Sequence, residues 1–470
     1  MAVLDSIDVG DGPRGPAPYS SVTNPCKLCA PLGAALAFRG LEGAVPFLHG
    51  SQGCATYMRR YVISHFREPM DVASSSLGEK DAVYGGGPNL KLGIKNVLEK
   101  FQPRLVGVAS TCLTETIGDD VPGIIKEFME ELGRLNPDLA LPVVVTVSTP
   151  SYSGSHADGF HHAVRAVVET LAGTAPPLSA SPAVNLMPGL LSPEDIRELK
   201  DILQGFGLTA AVVPDISGTL DGPALEDYPL VPQGGTPLAL LRSLHGAGAT
   251  VELGRNLPET GTAGTFLRDA WGVPLYRLGL PVGLRETDRF LEVLSRVSGR
   301  PVPERYEEQR GRLVDAYVDG HKVVFGQRAA VFGEEDLVVG ITAFLAEIGV
   351  QTVLCASGGG RGRLRHAVRD VTADLVPEAP RVLEKADFRA IEEELDRLRP
   401  DLLIGHSKGY PAARRLGIPL IRVGFPVHDR FGAQRLLHVG YRGALRLLDQ
   451  IVNTIFERRQ EESPVGYGYL

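Results

Sequence analysis

The sequence predicts an α/β protein built of three doubly wound, Rossmann-like parallel-sheet units. Three observations carry this. Short, continuously apolar runs such as Leu105–Ser110 and Pro142–Val147 lack the alternation of a strand with one wet face, so both their faces must be covered. These runs alternate with stretches of helical spacing such as Val121–Leu132. Finally, a chain of 470 residues exceeds one ordinary core and suggests roughly three.

Residues 1–23, rich in Gly, Pro, Ser and Asp, cannot bury enough apolar surface to fix a fold and are read as an extended arm. The first unit spans 24–180. It holds a helix over Pro31–Phe38, a strand over Gly43–Gly50, a helix over Cys54–Phe66 and the two strands named above. Thr174–Pro182 is a linker. The second unit, 181–305, has strands at 183–186, 209–213 and 249–253. Its first helix starts at Ser192-Pro193-Glu194-Asp195: a hydroxyl to cap, a proline with no amide to lose, and acids in the first turn. The third unit, 306–470, opens with a long polar helix to His321. Strands follow at 329–333, 352–355, 401–405 and 419–424, with a helix over 336–348 between the first two. An amphipathic helix over Tyr441–Ile455 closes the unit, and Ser463–Leu470 is a polar, aromatic tail.

Charge and composition exclude several classes. The net charge is −8, which argues against a nucleic-acid or acidic-membrane partner, since phosphate binding needs clustered cations. No apolar run reaches the ~18–20 residues of a membrane span, and Met1–Ser6 lacks the basic and apolar parts of a secretory signal. A cytoplasmic protein is the expectation. Five cysteines, an odd number in such a chain, do not form a disulfide framework.

Four of those cysteines lie in the first quarter of the chain: Asn24-Pro25-Cys26-Lys27-Leu28-Cys29, His49-Gly50-Ser51-Gln52-Gly53-Cys54 and Ser110-Thr111-Cys112. Cys112 and Ser151 each follow the carboxyl end of a strand, where ligands bind in doubly wound sheets. Thiolates suit zinc or iron–sulfur clusters. Structural zinc prefers two short-spaced pairs, and here there is one, Cys26 and Cys29. A redox dithiol wants a strand before the pair, which is absent. Gly50 and Gly53 let backbone approach a bulky ligand. On chemistry alone, cluster ligands and buried core cysteines both stand as readings.

Other candidates read as structural. Gly358-Gly359-Gly360-Arg361-Gly362-Arg363 follows a strand but lacks phosphate-loop spacing, and is read as a mobile loop. Arg67-Glu68 is read as a surface ion pair. His161-His162 has no carboxylate at metal-site spacing, and the chain has no Ser-His-Asp or HExxH pattern.

The motifs around the cysteines resemble one family. His49–Cys54 followed by His65-Phe66-Arg67-Glu68-Pro69, Thr111-Cys112 with Glu115 and Ile117–Asp120, and Thr149-Pro150-Ser151 are similar to the β-type subunit of nitrogenase component 1. Ser217–Asp221, Gly234-Gly235-Thr236, Ile404–Ser407, Arg422–Pro426 and Gly440–Gly443 continue the likeness. The resemblance implies an α2β2 assembly with a homologous α subunit and a P-type iron–sulfur cluster (8Fe-7S) shared between the two. By position, Cys29, Cys54 and Cys112 match its β-side thiolate ligands. Gly53 lies in the motif beside it, and Ser151 matches a serine that binds one iron on oxidation. Cys26 is not a ligand position. The implied role is electron relay from an ATP-dependent iron protein to a catalytic cofactor in the α subunit, with no catalytic acid or base here. The short arm sets the chain apart from long molybdenum-nitrogenase β subunits. It fits nitrogenase-like reductases of small organosulfur compounds such as methylthio-alkane reductase, or a β-type scaffold for cofactor assembly.

Overall fold

A computed structural model describes residues 24–138, 140–176 and 183–466. The N-terminal arm, residues 177–182 of the linker and residues 467–470 of the tail lie outside the described residues.

Three parallel sheets account for the strands. The first contains β1 (Ala44–His49), β2 (Ala73–Ser74), β3 (Leu105–Ser110) and β4 (Val143–Val147) in the order β2-β1-β3-β4. The second contains β5 (Val184–Met187), β6 (Ala210–Val212), β7 (Ala249–Leu253) and β8 (Leu275–Leu278) in the order β6-β5-β7-β8. The third contains β9 (Arg328–Phe332), β10 (Gln351–Ala356), β11 (Arg381–Leu383), β12 (Leu402–Gly405) and β13 (Leu420–Arg422) in the order β11-β10-β9-β12-β13. Each order doubles back from an inner strand, so each sheet has a switch point at its carboxyl edge. The central strands β1, β3, β5, β7 and β12 are buried along their whole length, and the polar residues that interrupt β5 and β7 are paired: Asn185 donates to the Leu244 carbonyl at 2.9 Å and Glu252 accepts from Arg277 at 2.9 Å. One apolar core runs from Leu28 to Ile455 and takes residues from all three sheets.

Local sequence explains the best-defined helices. Ser192 caps Pro193–Gly205 by accepting the Asp195 amide at 2.9 Å, as the sequence predicts. The helix His156–Leu171 starts on a reciprocal cap. The Ser155 hydroxyl accepts the Asp158 amide, and the Asp158 carboxylate accepts the Ser155 amide at 2.7 Å. This helix packs against Ala30–Arg39 with backbone touching backbone. A Cβ on Gly33 would lie 1.7 Å from the His156 carbonyl oxygen, and one on Gly159 would lie 1.9 Å from that of Ala30.

The start of the first unit is held differently from the expectation. Asn24–Cys26 adheres to the third sheet's side of the molecule. The Cys26 amide donates to the Ala386 carbonyl at 3.0 Å, and the Cys26 carbonyl accepts from Gly358 at 3.0 Å. The triple-glycine segment after β10 is packed as well: Gly358 and Gly359 are buried, and Arg361 pairs with Asp158 at 2.6 Å. That corrects its reading as a mobile loop. Among the described residues no helix is long and apolar enough to cross a membrane.

Candidate metal centre

The three cysteines lie at the starts of three helices, two of which follow strands of the first sheet. Cys29 precedes Ala30–Arg39 in extended backbone, Cys54 is the third residue of Gln52–Phe66, and Cys112 opens Cys112–Ile117. Unpaired backbone amides gather at such starts and can donate to sulfur. All three are half-buried.

Hydrogen bonds fix the turns that carry them. The Gly50 amide donates to the Ser75 hydroxyl at 2.9 Å, and His49 bridges Ser75 at 2.9 Å and Asp119 at 3.1 Å. The Thr114 hydroxyl donates to the His49 carbonyl at 3.0 Å, tying the turn after β1 to the turn after β3. Glu115 accepts hydroxyl protons from Ser110 and, at 2.7 Å, from Ser148. Thr149 completes the lock: its amide donates to the Ser110 hydroxyl at 3.0 Å and its own hydroxyl donates to the Ser110 carbonyl at 2.6 Å. The turns after β3 and β4 therefore move as one piece, bringing Ser151 to Cys112.

Ser151 is the hinge of the site. Its amide donates to Cys112 Sγ at 3.2 Å, and its hydroxyl accepts the Ala30 amide at 3.1 Å, one residue from Cys29. Lys27 grips the same turn, donating to the carbonyls of Ser151 at 3.3 Å and Gly154 at 2.9 Å. The Ser51 hydroxyl faces Cys54 Sγ at 3.5 Å. Burial pushes the Cys29 thiol above its ordinary value. The negative charges of Cys112 and Cys54 push the same way, while the Ser151 hydroxyl and Lys27 oppose. Cys54 and Cys112 both act on Cys29, yet among the described residues no three Cys, His, Asp or Glu side chains converge on one metal ion. Soft sulfur donors with amide and hydroxyl donors beside them suit a polynuclear iron–sulfur group better than a single cation.

Cys26 does not join them. It is 1% exposed, and its sulfur lies 3.6 Å from His406 Nε2 amid Phe332 and Phe388. Burial pushes its thiol up to about 12. Its place beside His406 in the third sheet's cluster agrees with setting Cys26 apart from the other three.

The glycines divide. Gly50 is required internally, since a Cβ there would lie 2.2 Å from the Thr111 hydroxyl, so it serves the joint between turns rather than a ligand. A Cβ at Gly53 would meet nothing nearer than Ser51 Oγ at 3.8 Å, which leaves open space beside Cys54. Sequence reasoning missed Tyr57 and Tyr61, whose rings lie 4.8 Å apart on the Cys54 face of their helix. Burial, Tyr61 and then Cys29 push the Tyr57 hydroxyl upward. Their spacing of three and seven residues from Cys54 was the available signal.

The His65–Pro69 motif is also internal. No ion pair joins Arg67 and Glu68; the Glu68 carboxylate accepts the Gly222 amide at 3.2 Å. His65 is buried among Phe66 and Phe425, and its Nδ1 accepts the Val427 amide at 2.9 Å, which only a neutral ring allows. Burial lowers its pKa to about 3. The unfolded chain takes up this proton as pH falls below 6.5, whereas the native chain refuses it until about 3. Stability from this residue is therefore full above 6.5 and declines below it, by up to about 1.4 kcal/mol per pH unit. The thermal midpoint is expected to fall between pH 7.5 and 5, and His65→Gln, which keeps an acceptor without titrating, should flatten that fall. An unchanged pH slope in the variant would count against this assignment.

Fold and thiol set together define the class, a three-sheet α/β redox protein. The family model for nitrogenase component 1 type oxidoreductases matches residues 29–456, and the chain belongs to this family. It is 37% identical over 449 residues to the nitrogenase molybdenum-iron protein beta chain of Methanothermobacter marburgensis, covering 94% of this chain and 95% of that one. It is 35% identical over 445 residues to the nitrogenase iron-molybdenum cofactor biosynthesis protein NifN of Bradyrhizobium diazoefficiens, covering 94% and 91%. The solved structure titled "Nitrogenase Cp1 at pH 6.5" superposes with a TM-score of 0.90 at 31% identity, covering 99% of this chain and 98% of that chain. Length therefore does not separate this chain from molybdenum-iron beta chains, which corrects the expectation drawn from the short arm.

Proposed function

We propose that this chain is the β-type subunit of a nitrogenase-like, ATP-dependent reductase working in the cytoplasm. Cys29, Cys54 and Cys112 hold one half of a P-type iron–sulfur cluster (8Fe-7S), and a homologous α subunit supplies the other half in an α2β2 assembly. The observation that supports this reading is the Ser151 turn, whose amide donates to Cys112 Sγ at 3.2 Å and whose hydroxyl accepts the amide next to Cys29 at 3.1 Å, with Cys29, Cys54 and Cys112 all half-buried. When bound, such a cluster stores and passes electrons between an iron-protein reductase and the α-subunit cofactor. The residues here do the rest. The helix starts offer amide donors, Ser151 offers an oxygen donor between Cys29 and Cys112, Gly53 leaves room for the group and the partner, and Lys27 fixes the Ser151 turn. The three sheets then correspond to units at 24–180, 181–305 and 306–470.

The identity to NifN supports a second reading, a β-type scaffold for cofactor assembly. One preparation separates the two. The chain is co-purified with its α partner and iron protein, iron and sulfide are counted, and spectra are recorded after oxidation. Turnover is then assayed with ATP and reductant on dinitrogen and on methylthio-alkanes. The reductase reading expects about eight cluster irons per αβ pair at this interface, with ammonia or small hydrocarbon as product. A loaded complex that turns neither substrate over but donates its cofactor to another protein is the scaffold. A colourless, zinc-containing complex sinks both.

A further inference from the structure

Apart from the thiol face, the largest cavities among those described are two adjoining ones of about 600 and 670 Å³ that share Ser153, Gly154, Asp158 and Arg361. They lie where the carboxyl ends of β4, β7 and β10 meet: the walls come from 148–154, 258–262 and 358–363. That is the position at which doubly wound sheets bind small molecules, here formed three times over in one crevice, and each volume lies within the ~300–1,000 Å³ usual for such sites.

The charge of the crevice runs against that of the chain. The protein carries 56 acidic and 48 basic residues, yet Lys27, Arg361, Arg363 and Lys385 line the two cavities against the single carboxylate of Asp158. Asp158 is already committed to capping its own helix and to Arg361 Nε at 2.6 Å. Burial works to raise its acid, but Arg361 and Ser155 outweigh it and hold it down to about 2. Four further carboxylates stand behind or outside the wall. Glu259 meets Arg363 at 3.4 Å on the exposed rim, Glu335 lies 3.9 Å from Arg361 with neither oxygen hydrogen-bonded, and Glu334 and Asp336, both raised chiefly by burial, also act on Arg361 from behind. Burial pushes Glu335 up to about 7, against the pull of Arg361, so it cancels only part of that charge at neutral pH. His161 and His162 are both lowered by burial and sit neutral in the wall as hydrogen-bonding groups.

The glycine run makes this possible. A Cβ on Gly359 would lie 2.7 Å from the Glu335 carboxyl carbon, and one on Gly360 would lie 2.5 Å from the Lys385 side chain. These glycines let charged groups press on the loop backbone from both sides and thereby seat Arg361.

The geometry points to this crevice as a binding site for a small oxyanion, a carboxylate- or phosphate-bearing metabolite, held chiefly by Arg361 and Arg363. The crevice adjoins the thiol face, sharing Lys27 and Ser151 with it, but Arg361 and Arg363 are not among the groups around the thiols, and the titration below reads oxyanion binding rather than iron. Isothermal titration of citrate, and separately of inorganic phosphate, into the intact complex at fixed ionic strength tests it. One site per chain is expected. Arg361→Gln and Arg363→Gln should each weaken binding about tenfold or more, and Ser153→Trp, which fills space at an exposed position without changing charge, should abolish it. Arg430→Gln, on a distant surface, should change nothing. Arg361→Gln leaves Asp158 unpaired and can unfold the crevice, so Arg363→Gln and Ser153→Trp carry the test if its melting profile changes. Binding of citrate alone, phosphate alone or both, with loss in these variants, supports the site and selects the oxyanion. Failure of both probes to bind below about 10 mM, or binding that survives Ser153→Trp and Arg363→Gln, overturns it.

Discussion

Cys112→Ala is expected to strip the assembled complex of most of its interface iron and to lower reductase turnover by at least about 100-fold. Loss of supporting residues around metal sites already costs roughly 10- to 100-fold, and a ligand counts for more. The same result is expected for Cys29→Ala and Cys54→Ala. Cys26→Ala is the contrast. Its sulfur packs beside His406 and Phe332 in the third sheet's cluster, so removing it opens a small void and costs about 1–2 kcal/mol while iron content stays at the wild-type value. Iron analysis and oxidised-state spectra on the four variants, with melting temperatures, separate the two outcomes. Retention of full iron by Cys112→Ala, or loss of it by Cys26→Ala, would contradict the assignment of the site.

Gly33→Ala should be among the most damaging single-methyl additions to this chain. Its Cβ would overlap the His156 carbonyl oxygen, which belongs to backbone and cannot rotate away. Helices Ala30–Arg39 and His156–Leu171 would have to separate, at a cost of about 3 kcal/mol or more. The damage reaches the site, because Cys29 precedes the first helix and the Ser151 turn leads to the second. Leu28 and His156 also exchange hydrogen bonds at 3.0 and 3.3 Å across the same joint. Gly159→Ala should behave alike. Gly311→Ala is the control: it lies in the helix Glu304–Val324 with nothing near its Cβ position, and should stabilise by about 0.5–1 kcal/mol. Calorimetric melting and iron per αβ pair measure both effects. A Gly33→Ala complex with unchanged melting and iron would refute the close-packing argument.

Much of the fold was legible because its signals are local. Continuous apolar runs found the inner strands, and the Ser192-Pro193 cap found a helix start to the residue. Three of the six edge strands escaped. β2 is two residues long, β11 three, and β8, Leu275–Leu278, is only half-buried, so none has the apolar run that marks a covered strand. At the proposed metal centre, residue types and flanking motifs singled out Cys29, Cys54 and Cys112. Spacing alone could not set Cys26 aside, because that depends on where the backbone turns between 26 and 29. Lys27, Tyr57 and the role of Gly50 were likewise invisible: each depends on a neighbour from a distant stretch or on a half-buried helix face. The Gly358–Arg363 segment was misread for the same reason, since its partners Asp158 and Cys26 lie some 200 to 330 residues earlier in the chain.

The strap that holds Asn24–Lys27 has a consequence for how the protein is made. Lys408 donates to the carbonyls of Pro25 and, at 3.2 Å, of Lys27, a partner 381 residues away. Gly358, Ala386 and Phe388 complete the strap through backbone bonds to Asn24 and Cys26. At a synthesis rate of ~5–20 residues per second, the segment leading to Cys29 waits roughly 20–80 s on the ribosome before the residues that fix it exist. A chain interrupted before Lys408 therefore lacks the contacts that hold Asn24–Lys27, and under the function proposed above any loading of iron at Cys29 would follow completion of that stretch.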